Sequence, residues 1–367
     1  GTMKALLFYS NKSLLFFLLL TTSQLTNAQR HFTYSQPVDL RDGWTTNDLR
    51  SKADSTRLYS FFNQLIQQDH QLHSVLLVKD NELILEEYFN EYNASKPHDL
   101  RSSTKSIRSL LLGVAIDKGF IENVDDPISK YLKSHEPKKN LDSRKKQITI
   151  KHLLTMSAGW DCNDWDKSSK GQEDRVYKKK DWIQYTLDLP MINDPGTVST
   201  YCSMGAILVA EIISQASGMS IDQFAEEYLI ISLSITNTSW GHTSNKEIIP
   251  SGKRLYMTPR DMAKVGQLIL DSGKWEGKQI VSAEWVEEST TTHTTITGME
   301  YGYFWWNIPL MVNGQKFMVK TATGNGGQYI MVIPEMNIIG VFTGGAYNSQ
   351  DDKLPFVIMR DVLLPSF

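Results

Sequence analysis

Ser102 and Lys105 are the two residues whose types and spacing most directly suggest chemistry. They lie three positions apart, just ahead of an apolar run from Ile107 to Ile116 that predicts a buried helix. Side chains with this spacing share one helix face, so the hydroxyl and the amine can touch. A lysine amine kept neutral by burial or by a nearby cation can take the serine proton and create a nucleophile. Taken alone, the pattern S-x-x-K more often marks a solvated helix turn.

A tyrosine at a loop-to-helix junction provides a second candidate group. The sequence Tyr201-Cys202-Ser203 follows the turn signal Asp194-Pro195-Gly196 and precedes a helix predicted to begin near Met204. A phenol beside a lysine ammonium loses its proton more easily, so Tyr201 could act as a general base. Without such a neighbour, a tyrosine at this position is a packing residue.

A glycine-rich segment, residues 323–328 (TGNGGQ), precedes the strand predicted over residues 328–333. Glycines at a strand edge let a substrate approach the backbone closely. Their N–H groups can also donate to a developing oxyanion. The segment by itself is equally compatible with a simple hairpin turn.

The elements that must position these groups fall into three parts. Strands are predicted over residues 73–90, with a hairpin at Asp80-Asn81, and again over residues 301–344, with a hairpin at Asn313-Gly314. The region from about 125 to 290 is mainly helical. Strands at both ends of a helical middle predict an α+β fold whose antiparallel sheet is built from the two ends of the chain.

The order of these motifs resembles that of serine β-lactamases and penicillin-binding proteins, and within them the class C-like β-lactamase and esterase branch. Three further segments carry the resemblance: residues 125–132 (DDPISKYL), residues 148–159 (ITIKHLLTMSAG) and Ile333-Pro334-Glu335. The similarity covers about residues 75–343. It implies a five-stranded antiparallel sheet flanked by helices, with an all-α lobe and the active site between them.

The resemblance also implies roles for individual residues. Ser102 is expected to be the acylated nucleophile, with Lys105 assisting its deprotonation and Tyr201 acting as general base for acylation. The oxyanion hole is expected to comprise the Ser102 N–H and an N–H from either Gly327 or Gln328. The glycine run leaves the choice between those two open.

Two departures from the family pattern bear on the substrate. Ser203 stands where the family usually has asparagine, and it offers one short hydroxyl in place of an amide. The late motif has Asn325 and Gly326 where penicillin-recognising members carry a lysine or histidine followed by threonine. A substrate carboxylate would thus lose a charge-assisted contact of roughly 1.5–3 kcal/mol.

The sequence therefore predicts a hydrolase for an ester or a linear amide, similar to family esterases and 6-aminohexanoate-dimer hydrolases. Ser203, Asn325 and Gly326 are expected to contact that substrate. The open alternatives are a β-lactamase or D-Ala-D-Ala peptidase, and a non-catalytic protein that binds a peptide-like or cell-wall ligand. Trp160 and Trp305 are candidates for an apolar substrate wall, although core packing is an equally good interpretation of each.

The first residues of the chain resemble a secretory signal peptide. Lysines precede the apolar run from Leu14 to Leu20, and small residues follow up to Ala28. We therefore expect a signal peptide over residues 1–28, with Gly1 and Thr2 as a cloning remnant, and a single hydrolase domain over residues 29–367 in the periplasm or outside the cell. The apolar run is too short for a comfortable membrane span.

Composition and cysteine count narrow the remaining possibilities. The chain has 367 residues, a net charge of -3 and two cysteines, Cys162 and Cys202. The charge gives no reason to expect a nucleic-acid partner. An even cysteine count in an exported protein permits one disulfide, the alternative being two buried thiols. Histidines lack metal-ligand spacing, so neither a metal nor another cofactor is expected.

Overall fold

The computed structural model describes residues 29–244 and 247–367. The signal peptide predicted over residues 1–28 lies outside the described residues. The α-helices of the described part are α1 to α10: Thr56–Leu65, Thr104–Asp117, Ile150–Leu154, Glu173–Val176, Trp182–Leu187, Ser203–Ser217, Ile221–Ala225, Pro259–Leu270, Ala283–Thr290 and Leu354–Val357. The strands there are β1 to β14: Thr45–Thr46, Leu72–Lys79, Glu82–Tyr88, His98–Asp99, Ser239–Gly241, Arg254–Met257, Lys274–Trp275, Lys278–Gln279, Thr294–Ile296, Met299–Tyr301, Trp306–Val312, Gln315–Gly324, Gln328–Ile333 and Ile338–Gly344.

The main sheet confirms the α+β class but not the expected number of strands. It has nine strands in the order β1-β3-β2-β14-β13-β12-β11-β10-β9, and only the β1–β3 pair is parallel. The expectation of five strands is therefore wrong. The edges are extended by β1, β9 and β10, which are two or three residues long. Segments so short show too few alternations for a period of two to be recognised.

The two predicted hairpins are present where the sequence placed them. Asp80 and Asn81 both have positive φ, 50° and 65°, and join β2 to β3. Asn313 and Gly314 likewise have φ of 50° and 79° and join β11 to β12. Positive φ at both central residues is the geometry that matches the strand twist, and asparagine and glycine adopt it at low cost.

One predicted strand is interrupted. Residues 301–307 were expected to be extended, but β10 ends at Tyr301 and β11 begins at Trp306. Between them the Gly302 N–H donates to the Trp305 carbonyl, and Phe304 has a φ of 66°. A tight turn thus replaces the middle of the strand. The aromatic residues there have high strand propensity, and tertiary packing overrides it.

The region from 125 to 290 is mainly helical, as expected, but it also contributes strands. A small sheet joins β4, β6 and β5, and a separate hairpin pairs β7 with β8. The strand β4 is His98–Asp99, so this small sheet ends three residues before Ser102. It therefore anchors the approach to the predicted nucleophile.

Helix α2, which follows Ser102, is the central buried element. Twelve of its fourteen residues, Thr104 to Ala115, are buried. It packs against α6 and α9. A Cβ on Gly113 would lie 2.1 Å from Cδ1 of Trp285, so only glycine permits this close approach of α9. Burial on all sides fixes the position of the residues at the start of α2.

Within the described residues, no single helix has the length and apolar character of a membrane span. Together the helices Ser203–Ser217 and Ile221–Ile230 meet those criteria, but they are bent by 78° relative to one another.

Candidate active site

Ser102 lies in a 3₁₀ turn, Arg101–Ser103, that leads directly into helix α2. Its side chain is partly exposed, whereas Lys105 in the first turn of α2 is 6% exposed. The Lys105 Nζ donates a hydrogen bond of 3.0 Å to the Ser102 Oγ. The helix spacing therefore places the amine within proton-transfer distance of the hydroxyl.

Tyr201 comes to the same place from a segment distant in the sequence. Its residue is 8% exposed and lies two positions before helix α6 begins at Ser203. The Lys105 Nζ is 4.8 Å from the centre of the Tyr201 ring. The structure thus brings Ser102, Lys105 and Tyr201 together, although they come from segments separated by almost one hundred residues of sequence.

The residue that follows the tyrosine forms a disulfide. Cys162 and Cys202 are bonded to each other, with 5.4 Å between their Cα atoms. Cys202 follows Tyr201, so the bond ties this junction to the loop that begins at residue 161. No free cysteine remains in the described part of the chain.

Asp164, in that same loop, is a partly buried group that the sequence did not single out. Its backbone N–H donates to the Tyr201 carbonyl at 2.8 Å. Its Oδ2 accepts from the Ser203 N–H at 2.8 Å, and its Oδ1 accepts from the Glu173 N–H at 3.0 Å. The carboxyl therefore holds the start of α6 and the start of α4 to the loop. The only sequence signal was its position two residues after Cys162.

The environment of Asp164 strongly affects its protonation. Burial, and then the charge of Glu173, raises the pKa of Asp164 to about 7, against the opposing influence of Lys105 and Ser203. A carboxyl that changes charge near neutrality thus interacts with the Lys105 ammonium. Perturbed groups of this kind are common at functional sites.

The glycine-rich segment forms the turn between β12 and β13, next to the nucleophile. A Cβ on Gly324 would lie 2.4 Å from the Leu100 carbonyl oxygen, so the late strand approaches the residues before Ser102 very closely. Ser103 Oγ also donates to the Gln328 carbonyl at 3.2 Å. The predicted proximity of the two motifs therefore appears in the structure as direct contacts.

The residues of that segment differ in what they already bond. The Gly327 N–H donates to the Gly324 carbonyl at 3.3 Å. The side chain of Gln328 is buried and bonds both the N–H and the carbonyl of Gly344. Asn325 exchanges hydrogen bonds with Asn348. Gly326 has a φ of 95°.

A cavity of about 140 Å³ opens beside the nucleophile. Ser102, Lys105, Ser203 and Asn325 line it, so two of the three residues expected to contact substrate face the same space as the serine–lysine pair. Lys320 is the cation of strand β12 nearest to the glycine-rich segment. Its Nζ donates to Thr290 Oγ1 at 3.0 Å.

The two tryptophans chosen from the sequence do not line this cavity. Trp305 is 0% exposed, which favours core packing over a place in the substrate wall. Trp160 is 4% exposed and faces a separate small pocket behind Cys202. Their neighbours in sequence, Trp165 and Trp306, stack near Tyr201 instead, with ring centres 5.1 and 6.0 Å from it. The sequence pattern alone does not show which tryptophan of each pair lies near Tyr201.

The described residues contain no group of three or more His, Cys, Asp or Glu side chains placed to hold a metal ion.

Comparison with known proteins identifies the family. A family model described as Beta-lactamase matches residues 62–361. The chain belongs to the beta-lactamase family. It is therefore a member of the serine β-lactamase and penicillin-binding-protein superfamily, and a serine hydrolase.

Individual relatives are distant. An uncharacterised protein of Alkalihalophilus pseudofirmus is 23% identical in an alignment of 326 positions that covers 79% of this chain and 87% of that protein. The 6-aminohexanoate-dimer hydrolase of Paenarthrobacter ureafaciens is 24% identical over 65% of this chain and 62% of its own length.

Solved structures agree on the fold. The octameric penicillin-binding protein homologue of Pyrococcus abyssi superimposes with a TM-score of 0.64 at 19% identity, covering 85% of this chain and 78% of its own. At these levels of identity the likeness shows that the β-lactamase-like fold is shared.

Proposed function

We propose that this protein is an exported serine hydrolase that cleaves an ester or a linear amide through an acyl-enzyme at Ser102. The observation that carries the proposal is the 3.0 Å hydrogen bond from the Lys105 Nζ to the Ser102 Oγ, beside Tyr201. A ligand-binding protein has no need of a nucleophile coupled to a base.

In the proposed reaction, the Ser102 Oγ attacks the substrate carbonyl and its proton passes to Tyr201, with Lys105 assisting the transfer. The tetrahedral oxyanion is held by the Ser102 N–H together with a late-strand N–H. That second donor is the N–H of Gly327 or of Gln328, which follow Gly324 in the turn next to the nucleophile. Tyr201 then passes the proton to the leaving alcohol or amine. Water hydrolyses the acyl-enzyme by the reverse sequence of proton transfers.

The ester or linear amide preference rests on the late motif. Asn325 stands where the cation of penicillin-recognising members is expected, and the Lys320 ammonium is bonded to Thr290. No cation of this strand is thus available to a β-lactam carboxylate. Relatedness to a 6-aminohexanoate-dimer hydrolase also supports a preference for a linear amide or an ester.

Export is part of the proposal and rests on the signal-like pattern of residues 1–28, with a mature protein that begins near Gln29. The Cys162–Cys202 bond supports it, because disulfides persist in oxidising compartments. Fractionation of cells followed by intact-mass analysis of the protein tests this part. Recovery of the protein in the cytoplasm, with residues 3–28 still attached, would contradict it.

The catalytic part is tested with four substrates: p-nitrophenyl butyrate, nitrocefin, a D-Ala-D-Ala peptide and a linear aminohexanoate dimer. We expect Ser102-dependent turnover of the ester or the linear amide, and slow turnover of nitrocefin. Ser102→Ala should abolish turnover and covalent labelling by a fluorophosphonate, whereas Ser95→Ala, in an exposed loop, should retain both. Fast nitrocefin or peptide hydrolysis would favour a β-lactamase or peptidase. Tight binding of a peptide without any turnover would favour a non-catalytic binding protein.

A further inference from the structure

Four cationic side chains line the cavity beside Ser102: Arg101, Lys105, Arg108 and Arg254. Three of them donate hydrogen bonds to groups of the protein. Lys105 donates to Ser102, and Arg108 is buried in α2 and donates to the Ser251 and Lys253 carbonyls. Arg254 forms a bidentate pair with Asp99, at 3.0 and 2.7 Å.

Arg101 differs from the other three because its guanidinium forms neither a hydrogen bond nor an ion pair within the described residues. Among the described residues no carboxylate lies within 4.0 Å of it, and no hydrogen bond from its side chain is formed. Asp99 is the nearest candidate by sequence, but its two oxygens receive Arg254, and one of them also accepts the Arg101 backbone N–H at 2.8 Å. The charge of Arg101 is therefore available to a ligand.

The acidic residues of the same cavity do not neutralise Arg101 either. Glu173 and Asp174 line the cavity from helix α4. Glu173 Oε2 accepts from the Tyr177 hydroxyl at 3.1 Å, and Asp174 Oδ2 accepts from Gln172 at 3.2 Å. Neither forms an ion pair with an arginine of the cavity within the part of the chain that the structure describes.

The position of Arg101 is fixed by an unusual backbone. Its φ is 51°, in the left-handed region that is strained for a residue with a Cβ. Its guanidinium lies over the Tyr347 ring, 5.1 Å from the ring centre. Tyr347 in turn packs against Gly326 of the late motif. Strained residues of this kind cluster at active sites, where the surrounding structure holds them in place.

We propose that Arg101 binds an anionic group, most simply a carboxylate, of the substrate that Ser102 attacks. This inference rests on the proposed function and adds the class of substrate to it. The cation that the family usually places on the late strand is here supplied from the turn before the nucleophile. The preferred substrate is an ester or linear amide with a carboxylate that reaches Arg101 when its carbonyl is at Ser102.

Matched neutral and charged esters test this assignment. p-Nitrophenyl butyrate is the neutral reference. Mono-p-nitrophenyl glutarate adds a carboxylate to the acyl chain, and 3-carboxy-4-nitrophenyl butyrate adds one to the leaving group. We expect at least one charged ester to be preferred over the reference. Arg101→Gln should lower kcat/KM for that ester by about 10- to 100-fold, mainly through KM, and change the neutral ester by less than about threefold.

Two control variants separate charge from packing. Arg101→Lys keeps the charge but loses the fork geometry, so it should recover part of the lost kcat/KM for the charged ester. Arg57→Gln removes an arginine from the exposed face of α1 and should leave all three esters unchanged. Equal melting temperatures would show that the variants are folded.

A binding measurement separates failure of this inference from failure of the proposed function. The Ser102→Ala protein should bind the preferred charged ester more tightly than the neutral one, and Arg101→Gln in that background should remove the difference. If the wild-type protein turns over none of the esters but the difference in binding is present, the hydrolase proposal alone is rejected. Equal effects of Arg101→Gln on charged and neutral esters, or none on either, would overturn the role of Arg101.

Discussion

Trp165 stacks on Tyr201, with ring centres 5.1 Å apart and planes inclined by only 4°. Trp165 comes from the loop that the Cys162–Cys202 bond fastens to the same junction. Trp306 completes the cluster, 6.0 Å from Tyr201 and 6.4 Å from Trp165. The proposed general base is therefore held by groups from two other parts of the chain.

Removal of the Trp165 ring should impair catalysis more than stability. Aromatic pairs contribute about 0.5–1.5 kcal/mol beyond burial, so Trp165→Ala should lower kcat/KM by roughly two- to tenfold. Trp165 is 36% exposed, and the melting temperature should change little. Steady-state kinetics with Trp165→Phe as the matched control measure the effect. Wild-type kinetics in the alanine variant would show that the stack does not position Tyr201.

Removal of the phenol itself should have a much larger effect. Tyr201→Phe preserves the ring and its stacking but deletes the proton-transfer group, so we expect kcat to fall by about 10²–10⁴-fold. Tyr185→Phe, whose hydroxyl donates to the Lys170 carbonyl, is the matched control and should be close to wild type. A loss of only a few-fold at Tyr201 would assign the base role to Lys105 alone.

The disulfide should contribute substantially to stability. The two cysteines are 40 positions apart, for which the chain-entropy model gives about 4 kcal/mol. The double variant Cys162→Ala/Cys202→Ala should therefore melt at a lower temperature than the wild type, and a reductant should lower only the wild-type value. Non-reducing mass analysis should find no free thiol in the wild type. Two alkylatable thiols in that sample would contradict the bond.

Asp164 should give a measurable pH dependence of stability. Its pKa is raised to about 7, whereas an unfolded chain titrates near 4. Between these values the folded state binds more protons, so the stabilisation from this group is fully present below about pH 4 and is lost as pH rises through about 7. The side chain in the Asp164→Asn variant does not titrate, so the free energy of unfolding of that variant does not fall with pH through this group.

The comparison of Asp164→Asn with wild type at two pH values tests this prediction. An asparagine must turn its NH₂ toward one of the two backbone N–H donors, so at pH 5 the variant should be less stable by about 1–3 kcal/mol. At pH 8 the difference should shrink. A difference in melting temperature that is constant or grows with pH would refute the assignment.

The two glycines of the late turn should differ in tolerance. Gly326 and Gly327 have φ of 95° and 103°, so alanine is strained at both. A Cβ at 326 would also lie 2.6 Å from the Tyr347 ring, whereas at 327 the nearest atom is 3.8 Å away. Gly326→Ala should therefore lower the free energy of unfolding by about 1–3 kcal/mol more than Gly327→Ala does. The measurement is the larger fall in melting temperature. Equal losses would mean that backbone strain alone matters.

Local spacing and turn chemistry allowed part of this molecule to be predicted from its sequence. The contact between Ser102 and Lys105 follows from helix geometry, which places residues three apart on one face whatever surrounds them. The Asp80-Asn81 and Asn313-Gly314 hairpins follow from residues that tolerate positive φ. The motif order indicated the family for the same reason, since it depends only on residue identity along the chain.

The tertiary structure decided what depends on distant partners. It made nine strands of the main sheet, buried Trp305 and Trp306 with only Trp306 stacked near Tyr201, and bonded Asp164 to the starts of two helices. It also left Arg101 without a carboxylate, because Asp99 pairs with Arg254 from a strand more than 150 residues later. Side-chain direction, burial and charge pairing are set by which segments pack together, and residues far apart in sequence carry no local signal of that packing.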